Sequence, residues 1–377
     1  MKLKLSLIIF IFLVIQPIIA QSQLDIENQQ PCYSWAIVGA GLAGITALAV
    51  LLDCGVDPAT IAWIDPEFNV GRLGKYYRNV PGNLQTGSFI NYVNNCPYFK
   101  NVNSSFLDSL QSRDPDEFPQ LSVIVDPLAD FTTYLRSKVV TITNTVTSLN
   151  RNDNYWILEG SDFIINAQKV ILAVGAHPRT LDYDLPEIPL DDALDKDKLT
   201  NYVSPTDCIA VFGSMHSAIL ILKYLSECSV KQIINFYIEP YFYGSPGLEG
   251  NTALWAKNVL EQNPPANLIR ALNTPENREK LFPQCTKAIY AIGFVPNPIL
   301  VNGTFTLEFD EDTGIIDQNL YGIGIAFPAT GICNGQKIAK NGVHAYLGYA
   351  KKLIPLWIAN DKSYVQSVRE QEELPWM

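Results

Sequence analysis

The stretch Ser34-Trp-Ala-Ile-Val-Gly-Ala-Gly-Leu-Ala-Gly44 carries the strongest structural signal in this chain. Its apolar start predicts a β-strand, and the small and apolar residues that follow it, up to Asp53, predict a helix. Gly39 permits a tight turn, and Gly41 lets the backbone approach a pyrophosphate. Gly44 lets the helix pack closely on the strand, and the helix dipole would face the phosphates. The pattern indicates a dinucleotide-binding turn, with a glycine-rich turn inside the core as the alternative.

A second apolar run, Thr60-Ile-Ala-Trp-Ile-Asp65, follows and ends in an acidic residue about 25 residues after the turn. A carboxylate at that position can accept a hydrogen bond from a ribose hydroxyl of adenosine. Strand, turn, helix, strand and terminal acid therefore occur in the order that a dinucleotide-binding unit requires.

The same order recurs later in the chain. Thr206–Val211 predicts a strand, and Phe212-Gly-Ser-Met-His-Ser-Ala218 predicts a second turn. A helix through Ser226 and a strand over Lys231–Ile238 would complete a second β-turn-α-β unit.

Each unit is followed by a strand that runs into Ala-x-Gly-x-x-Pro, at Ala173–Pro178 and again at Ala291–Pro296. Glycine in such a crossing lets the chain pass close to a bound nucleotide. Two matching halves predict two dinucleotide-binding domains, and two unrelated buried strands with Gly-Pro turns are the alternative.

With these motifs, the sequence resembles the flavoproteins built from two dinucleotide-binding domains. This superfamily includes the pyridine nucleotide-disulfide oxidoreductases and the flavin-dependent monooxygenases. The resemblance spans roughly residues 33–350 and is strongest in the first glycine turn, Asp65, Ala173–Pro178 and Tyr321-Gly-Ile-Gly-Ile-Ala326. It implies an α/β fold of two Rossmann-like domains, the second inserted into the first. It also implies FAD on the first unit and NAD(P)H on the second.

The resemblance also implies which residues contact the cofactors. Gly71–Gly74 and Val80–Thr86 would lie along FAD, and strand Thr141–Leu149, with strand Tyr155–Glu159, would close over the adenine. The residues assigned to FAD are Gly39, Gly41, Gly44, Asp65, Arg72, Gly74, Asn83, Val146, Ala173, Gly175, Gly324 and Ile325. Those assigned to the nicotinamide nucleotide are Gly213, Ser214, His216 and Ser217.

Two departures from the family pattern bear on function. Ile325 follows Gly324 where disulfide reductases carry an acid, and this is common among the monooxygenases. Met215 stands where the second turn would have its middle glycine, and its side chain would crowd a pyrophosphate. No Arg or Lys follows Ile238 to hold a 2′-phosphate, so Glu239 favours NADH slightly. His216 has two possible roles, a ligand contact or a cap of its helix.

The first 20 residues differ from the rest of the chain. Lys2 and Lys4 precede the uncharged apolar run Leu5–Ala20, which is the form of a secretory signal peptide. We therefore expect a protein of the secretory pathway, secreted, periplasmic or lumenal, with a membrane anchor only if this segment stays uncleaved. The predicted domain limits are 1–20 for the signal peptide, 21–30 for a linker, 31–185 and 297–360 for the FAD-binding domain, 186–296 for the NAD(P)-binding-like domain, and 361–377 for a C-terminal tail.

Composition and cysteine spacing exclude several classes of function. A formal charge of −11 argues against nucleic acid as a partner, because binding phosphates needs clustered Lys and Arg. Seven cysteines include no Cys-x-x-Cys pair, which argues against disulfide-reductase chemistry. With three histidines and no clustered ligands, we expect no metal site.

Two pairs of cysteines occupy matching positions in the two units. Cys32 and Cys54 flank the first strand and helix, and Cys208 and Cys228 flank the second. The strand start and the helix end lie at the same edge of a βα unit, so each pair could approach the Cα separation of a disulfide. Four small buried residues at the sheet edges are the alternative.

No set of residues for covalent or metal catalysis is present in the sequence, so the catalytic residues are left unassigned. Lys75, Arg78 and Asn83 lie in the segment expected beside the flavin ring, with surface solvation as the alternative.

Three candidate functions remain. The first is an FAD-dependent, monooxygenase-like oxidoreductase that uses NAD(P)H and acts on a small organic substrate. The second is an NAD(P)H-dependent reductase of a quinone or diffusible acceptor. The third is an FAD-binding protein with a decayed nicotinamide site and no turnover.

Overall fold

The computed structural model describes residues 31–244, 247–305, 307–333 and 336–359. The predicted signal peptide, linker and C-terminal tail lie outside the described residues. Two parallel sheets organise the rest, and each has the β-strand order of a dinucleotide-binding unit.

The first sheet is built around the strand that precedes the first glycine turn. Its parallel strands have the order β15-β6-β1-β2-β3, and every neighbouring pair is parallel. The bounds are β1 Cys32–Val38, β2 Ile61–Ile64, β3 Val140–Ile142, β6 Ile164–Leu172 and β15 Leu320–Gly322. Residues of β2 are all buried, as expected for a strand covered by helices on both faces.

An antiparallel extension of the sheet pairs with the first four residues of β6, Ile164–Ala167. It consists of β4 Ser148–Arg151 and β5 Trp156–Glu159, and β13 Leu300–Val301 pairs with β4 in parallel. The expected strand Thr141–Leu149 is therefore wrong as a single element. The backbone leaves the parallel sheet after Ile142 and enters the antiparallel extension only at Ser148.

The second sheet is entirely parallel, with the order β10-β9-β8-β11. Its strands are β8 Cys208–Phe212, β9 Gln232–Tyr237, β10 Leu268–Leu272 and β11 Lys287–Tyr290. This is the order of β3-β2-β1-β6 in the first sheet, so the two predicted units have the same topology.

Two antiparallel strands join the units. They are β7 Ala176–Pro178 and β12 Phe294–Pro296, the last three residues of the two Ala-x-Gly-x-x-Pro segments. After β12 the chain returns to the first sheet through β13 and β15. The predicted fold class, two Rossmann-like domains of α/β type with the second inserted into the first, is confirmed, while the residue limits of the domains stay a prediction.

Helices and short strands cover the sheets. Helix α1 contacts the last helix, α11, and both lie in the core cluster that also holds Trp63 and Phe131. The helices are α1 Leu42–Asp53, α2 Gly71–Tyr76, α3 Thr86–Asn95, α4 Ser105–Gln111, α5 Ser122–Arg136, α6 Leu190–Ala193, α7 Lys196–Leu199, α8 His216–Ser226, α9 Gly250–Trp255, α10 Pro275–Leu281 and α11 Val343–Ala359. The remaining strands are β14 Ile315–Asp317, β16 Ala329–Cys333 and β17 Gln336–Lys340. Across the described ranges, each helix is too short or too polar to cross a membrane.

Candidate nucleotide-binding site

The first glycine turn sits at the carboxyl end of β1, where it contacts the end of β6. Gly39 has a φ of 108°, which strongly favours glycine. A Cβ on Gly39 would lie 2.3 Å from the carbonyl oxygen of Ala173, the residue after β6. Ala173 in turn donates to Val38 at 2.8 Å. The sequence therefore needs glycine here because two strand ends meet.

Two further glycines differ in what surrounds them. A Cβ on Gly44, in the first turn of α1, would lie 2.0 Å from the Gly39 carbonyl oxygen, so Gly44 is required by packing. A Cβ on Gly41 would meet only the Gly71 Cα, at 3.9 Å. Gly41 precedes α1, and no side-chain cap accepts from the N–H groups at the start of the helix. Such an end suits a pyrophosphate.

Asp65 follows β2 and its carboxylate is buried against the turn. One oxygen accepts from the Ala40 N–H at 2.7 Å, and the other accepts from Glu67 at 2.8 Å and Phe68 at 2.6 Å. A carboxylate has about four acceptor positions, so about one remains for a ribose hydroxyl. Asp65 therefore shapes the turn as well as offering an acceptor to a ligand.

Gly324 comes from the far end of the sequence to the start of α1. It has a φ of 96°, and a Cβ there would lie 2.7 Å from the Ala43 Cβ. Its neighbour Ile325 is half-buried. The structure thus brings seven of the predicted FAD residues to one edge of the first sheet: Gly39, Gly41, Gly44, Asp65, Ala173, Gly324 and Ile325. Their spacing and open helix end fit a dinucleotide such as FAD.

Other predicted FAD residues have different surroundings. Arg72 forms an ion pair with Asp191 of the inserted unit, and Tyr77 donates to the same carboxylate at 2.5 Å. A Cβ on Gly74 would lie 2.2 Å from the Asn69 carbonyl oxygen, which explains this glycine by packing. Val146 is buried in the apolar core beneath β4 and β5. Asn83 is exposed in a bend between Gly82 and α3.

Lys75 and Arg78, which were candidates to stabilise the flavin, pair instead with surface carboxylates. Lys75 contacts Glu67, and Arg78 contacts both oxygens of Asp126, at 2.8 and 2.7 Å. These exposed pairs support the alternative interpretation, surface solvation, for both cations.

The second glycine turn repeats the geometry of the first. Gly213 has a φ of 122° and donates to Phe236 at 2.9 Å, as Gly39 donates to Ile64 at 2.8 Å. A Cβ on Gly213 would lie 2.2 Å from the carbonyl oxygen of Ala291. Both turns therefore meet the alanine of an Ala-x-Gly-x-x-Pro segment.

Buried Asn235 holds this second turn in place, and sequence reasoning missed it. Its amide group donates to the carbonyls of Val211 at 3.0 Å and Gly213 at 2.8 Å. Its oxygen accepts from Arg270 at 3.0 Å. A polar residue inside an otherwise apolar strand was the available signal, because a buried amide needs hydrogen-bonding partners.

Arg270 places a cation near the end of β9, although no Arg or Lys follows Ile238 in the sequence to hold a 2′-phosphate. Its guanidinium lies over the rings of Tyr237 and Tyr241, at 4.8 and 4.9 Å. Its Nη2 is buried and has no hydrogen-bonding partner among the described residues. Glu239 itself is exposed just beyond β9.

Three further predicted residues surround the second turn. His216 begins α8, and neither ring nitrogen has a hydrogen-bonding partner within the described chain. Burial lowers the pKa of His216, and the Pro81 carbonyl, near the ring but outside hydrogen-bonding geometry, opposes this shift. His216 therefore does not cap α8, so this one of its two predicted roles is wrong. Ser214 and Ser217 are half-buried beside it, and Met215 is 37% exposed.

Gly175 lies between the two sheets, where the linking strands begin. It has a φ of 72°, and its carbonyl accepts from the Asn297 N–H at 3.0 Å. The Asn297 side chain donates to Val174 at 2.8 Å and contacts His177 at 3.0 Å. Asn297 thus joins the two linking segments, the one that precedes β7 and the one that follows β12.

Two cavities lie away from the glycine turns. One cavity of about 530 Å³ lies between Phe118 and α9, and another of about 300 Å³ lies beside Tyr98 and Lys351. Neither includes a residue of a glycine turn. Over the described ranges, no group of three or more His, Cys, Asp or Glu residues is placed to hold a metal ion.

The suggested disulfides are absent from the structure. Cys32 and Cys54 are free and exposed, and Cys208 is free and buried, while Cys228 is free and half-buried. The closest sulfur to Cys208 Sγ is that of Cys285, at 4.0 Å. Cys285 precedes β11, the strand beside β8, and this neighbour could not be predicted from chain spacing.

Comparison with known proteins supports the flavoprotein fold. No family model matches the chain. The monooxygenase AgnR1 of Paecilomyces divaricatus is 26% identical over 86% of this chain and 97% of its own length. The flavin-containing monooxygenase of Stenotrophomonas maltophilia superimposes with a TM-score of 0.60 at 15% identity, over 87% of this chain and 99% of that one. The bacillithiol disulfide reductase of Staphylococcus aureus gives 0.59 at 10% identity, over 88% and 100%.

Both solved structures match this chain over nearly their whole length at identities of 15% or less, so the likeness is one of fold. The chain therefore has the fold of the flavoproteins built from two dinucleotide-binding domains, the fold of thioredoxin reductases and flavin monooxygenases.

Proposed function

We propose that this protein is an FAD-dependent oxidoreductase of the monooxygenase type, which uses a nicotinamide dinucleotide as donor and acts on a small organic substrate. The observation that carries the proposal is the repeated turn. Gly39 meets Ala173 and Gly213 meets Ala291 in the same geometry, at the carboxyl edges of two parallel sheets. The similarity to a curated monooxygenase over most of both chains supports the choice of reaction.

The protein's part in such a reaction is binding and orientation. A bound flavin supplies hydride and oxygen chemistry, which needs no catalytic triad or metal. The N–H groups at the start of α1 would hold the FAD pyrophosphate, and Asp65 would hold its ribose. The hydrogen bonds of Asn297 to Gly175 and Val174 join the two linking segments, and this supports a defined separation of the two proposed nucleotide sites.

The donor is the finer part of the proposal. We propose NADH over NADPH because Glu239 follows β9 and would repel a 2′-phosphate. Arg270 is the residue that argues the other way, since its guanidinium lies within 5 Å of two tyrosine rings near the same strand end. Measured affinities for both donors, in wild type and in Glu239→Gln, test this part.

Met215 favours a second candidate function, FAD binding without turnover. Its side chain occupies the position at which a middle glycine would leave room for a pyrophosphate. Electron transfer from a nicotinamide donor to a quinone or another diffusible acceptor is the remaining candidate.

One set of measurements separates the three. The purified protein is examined for a flavin spectrum, and NADH and NADPH oxidation is followed with and without oxygen. Oxygen-dependent oxidation supports the monooxygenase, oxidation that needs an added quinone supports the reductase, and bound FAD without oxidation supports the third candidate. Gly41→Trp is the control, because it fills the open space before α1 and is expected to remove FAD. A folded protein with no flavin affinity would contradict all three.

We also propose export through the secretory pathway, from the basic and apolar residues 1–20. N-terminal sequencing of the protein recovered from its native host tests cleavage after Ala20. A mature chain that begins at Met1 in the cytosol would contradict export.

A further inference from the structure

Cys208 and Cys285 are two cysteines of the inserted unit whose sulfurs approach each other. Their Sγ atoms are 4.0 Å apart although the residues are 77 positions apart in sequence. Cys208 begins β8, and Cys285 immediately precedes Thr286 and β11. The two strands are hydrogen-bonded neighbours, because Thr286 donates to the Cys208 carbonyl at 2.8 Å.

Packing keeps the two thiols together. Both belong to the core cluster on one face of the second sheet, with side chains 3% and 7% exposed. The Cys285 thiol also donates a hydrogen bond to the Leu281 carbonyl, at 3.8 Å. Cys208 lies opposite Thr286, the residue after Cys285, in the parallel register of β8 and β11. The 4.0 Å between the sulfurs exceeds the S–S bond length of about 2 Å, so both side chains must rotate for the bond to form.

We propose that Cys208 and Cys285 form a disulfide, a redox modification site that fastens β8 to β11 in the inserted unit. The oxidant is a small-molecule disulfide such as oxidised glutathione. One protein thiolate attacks it and releases one reduced glutathione, and the second protein thiol then displaces the other glutathione from the mixed disulfide. Two protein S–H bonds and one glutathione S–S bond are lost, and one protein S–S bond and two glutathione thiols are formed.

The location makes this bond independent of the nucleotide sites. Both cysteines lie at the amino-terminal edge of the second sheet, whereas Gly213 and the start of α8 lie at its carboxyl edge. The pair is therefore not a dithiol that exchanges electrons with a flavin. Its effect is to close a loop of the chain and so restrict the unfolded state.

Burial also governs how readily the bond forms. Burial and the neighbouring sulfur raise the pKa of the Cys285 thiol to about 12, so the attacking thiolate is scarce near neutral pH. The bond should form slowly in the folded protein and, once formed, resist reduction. The exposed Cys54 should react with glutathione much sooner.

The test uses the full-length protein, incubated with oxidised glutathione until Cys54 is fully modified and for several-fold longer. Remaining thiols are then alkylated, and unreduced peptides are mapped by mass spectrometry. We expect a Cys208–Cys285 peptide pair in wild type and in the control Cys228→Ser, and its loss in Cys285→Ala.

Oxidised wild type should also melt about 5 °C or more above the same protein after reduction. Alkylated Cys208 and Cys285 in wild type, or a Cys208–Cys228 peptide, would overturn the proposal, and the wild-type result stands even where a variant does not fold.

Discussion

The Asp65 carboxylate accepts a hydrogen bond from the Ala40 N–H at 2.7 Å, so the acid at the end of β2 also holds the glycine turn at the end of β1. The two residues are 25 positions apart. In the family pattern the acid is described as a ribose acceptor, whereas here most of its acceptor capacity serves the protein backbone. If Asp65 also accepts from a ribose as proposed, ligand binding and turn geometry are coupled through one side chain.

Replacing Asp65 should separate these two roles. Asp65→Ala leaves the N–H groups of Ala40, Glu67 and Phe68 without acceptors, and we expect a loss of about 2–4 kcal/mol in the free energy of unfolding. Asp65→Asn keeps one oxygen as acceptor for the N–H groups of Glu67 and Phe68, so the free energy of unfolding should fall by about half as much. Both should weaken FAD at least tenfold, measured by flavin fluorescence. Unchanged FAD affinity in Asp65→Asn would show that the acid does not contact the ribose.

Gly44 and Gly41 form a matched pair for the turn itself. A Cβ on Gly44 collides with the Gly39 carbonyl, so Gly44→Ala should destabilise the protein by about 3 kcal/mol or more. Gly41→Ala meets no atom closer than 3.9 Å and should leave the melting temperature almost unchanged. Its effect should appear in FAD affinity. Equal destabilisation by the two substitutions would contradict the assignment of open space to Gly41.

The glycine turns could be predicted from the sequence because their determinants are local. Gly39 and Gly213 follow buried strands directly, and the alternation of strand, turn and helix is visible within about 30 residues. The surroundings of Arg72 could not be predicted in this way. Its partner, Asp191, is 119 residues away and belongs to the inserted unit, so its position depends on how the two units pack. Cys285 beside Cys208 was missed for the same reason.

Arg72 gives a prediction that distinguishes a domain contact from a cofactor contact. Arg72→Met should leave FAD affinity within about twofold of wild type if the guanidinium serves Asp191 alone. Hydrogen exchange should increase in α6, because Asp191 then keeps only the Tyr77 hydroxyl as a partner. Asp191→Asn is the matched variant and should increase exchange in the same segment. A large loss of FAD affinity in Arg72→Met would return this residue to the cofactor site.

Asp207 should make the inserted unit sensitive to acid. Burial opposes its ionisation, but Lys287 at 2.8 Å and the hydroxyls of Thr286 and Ser204 outweigh burial and lower the pKa of Asp207 to about 2. A carboxyl with a lowered folded-state pKa stabilises the fold above its unfolded pKa, and this contribution is lost as the pH falls through the folded value. We expect about 2 kcal/mol to be lost between about pH 4 and pH 2. The free energy of unfolding, measured with urea, should depend less steeply on pH across that range in Asp207→Asn than in wild type. Identical slopes in the two proteins would refute the assignment of the lowered pKa to Asp207.

Met215 stands where the second turn would have its middle glycine, so its replacement tests the proposed nicotinamide site. The second turn is otherwise intact, because Gly213 meets Ala291 and Asn235 holds the Gly213 carbonyl at 2.8 Å. Met215 precedes α8 without capping it and is 37% exposed, so its removal opens the helix end without leaving a cavity in the core. Met215→Gly should therefore raise the affinity for NADH or NADPH about tenfold, with little change in melting temperature.

Asn235→Leu is the contrasting variant. It deprives two buried carbonyls of a donor and should lower both stability and nucleotide affinity. Titration calorimetry with both dinucleotides measures the effect, and weaker binding by Met215→Gly would mean that the second turn is shaped for a ligand other than a pyrophosphate.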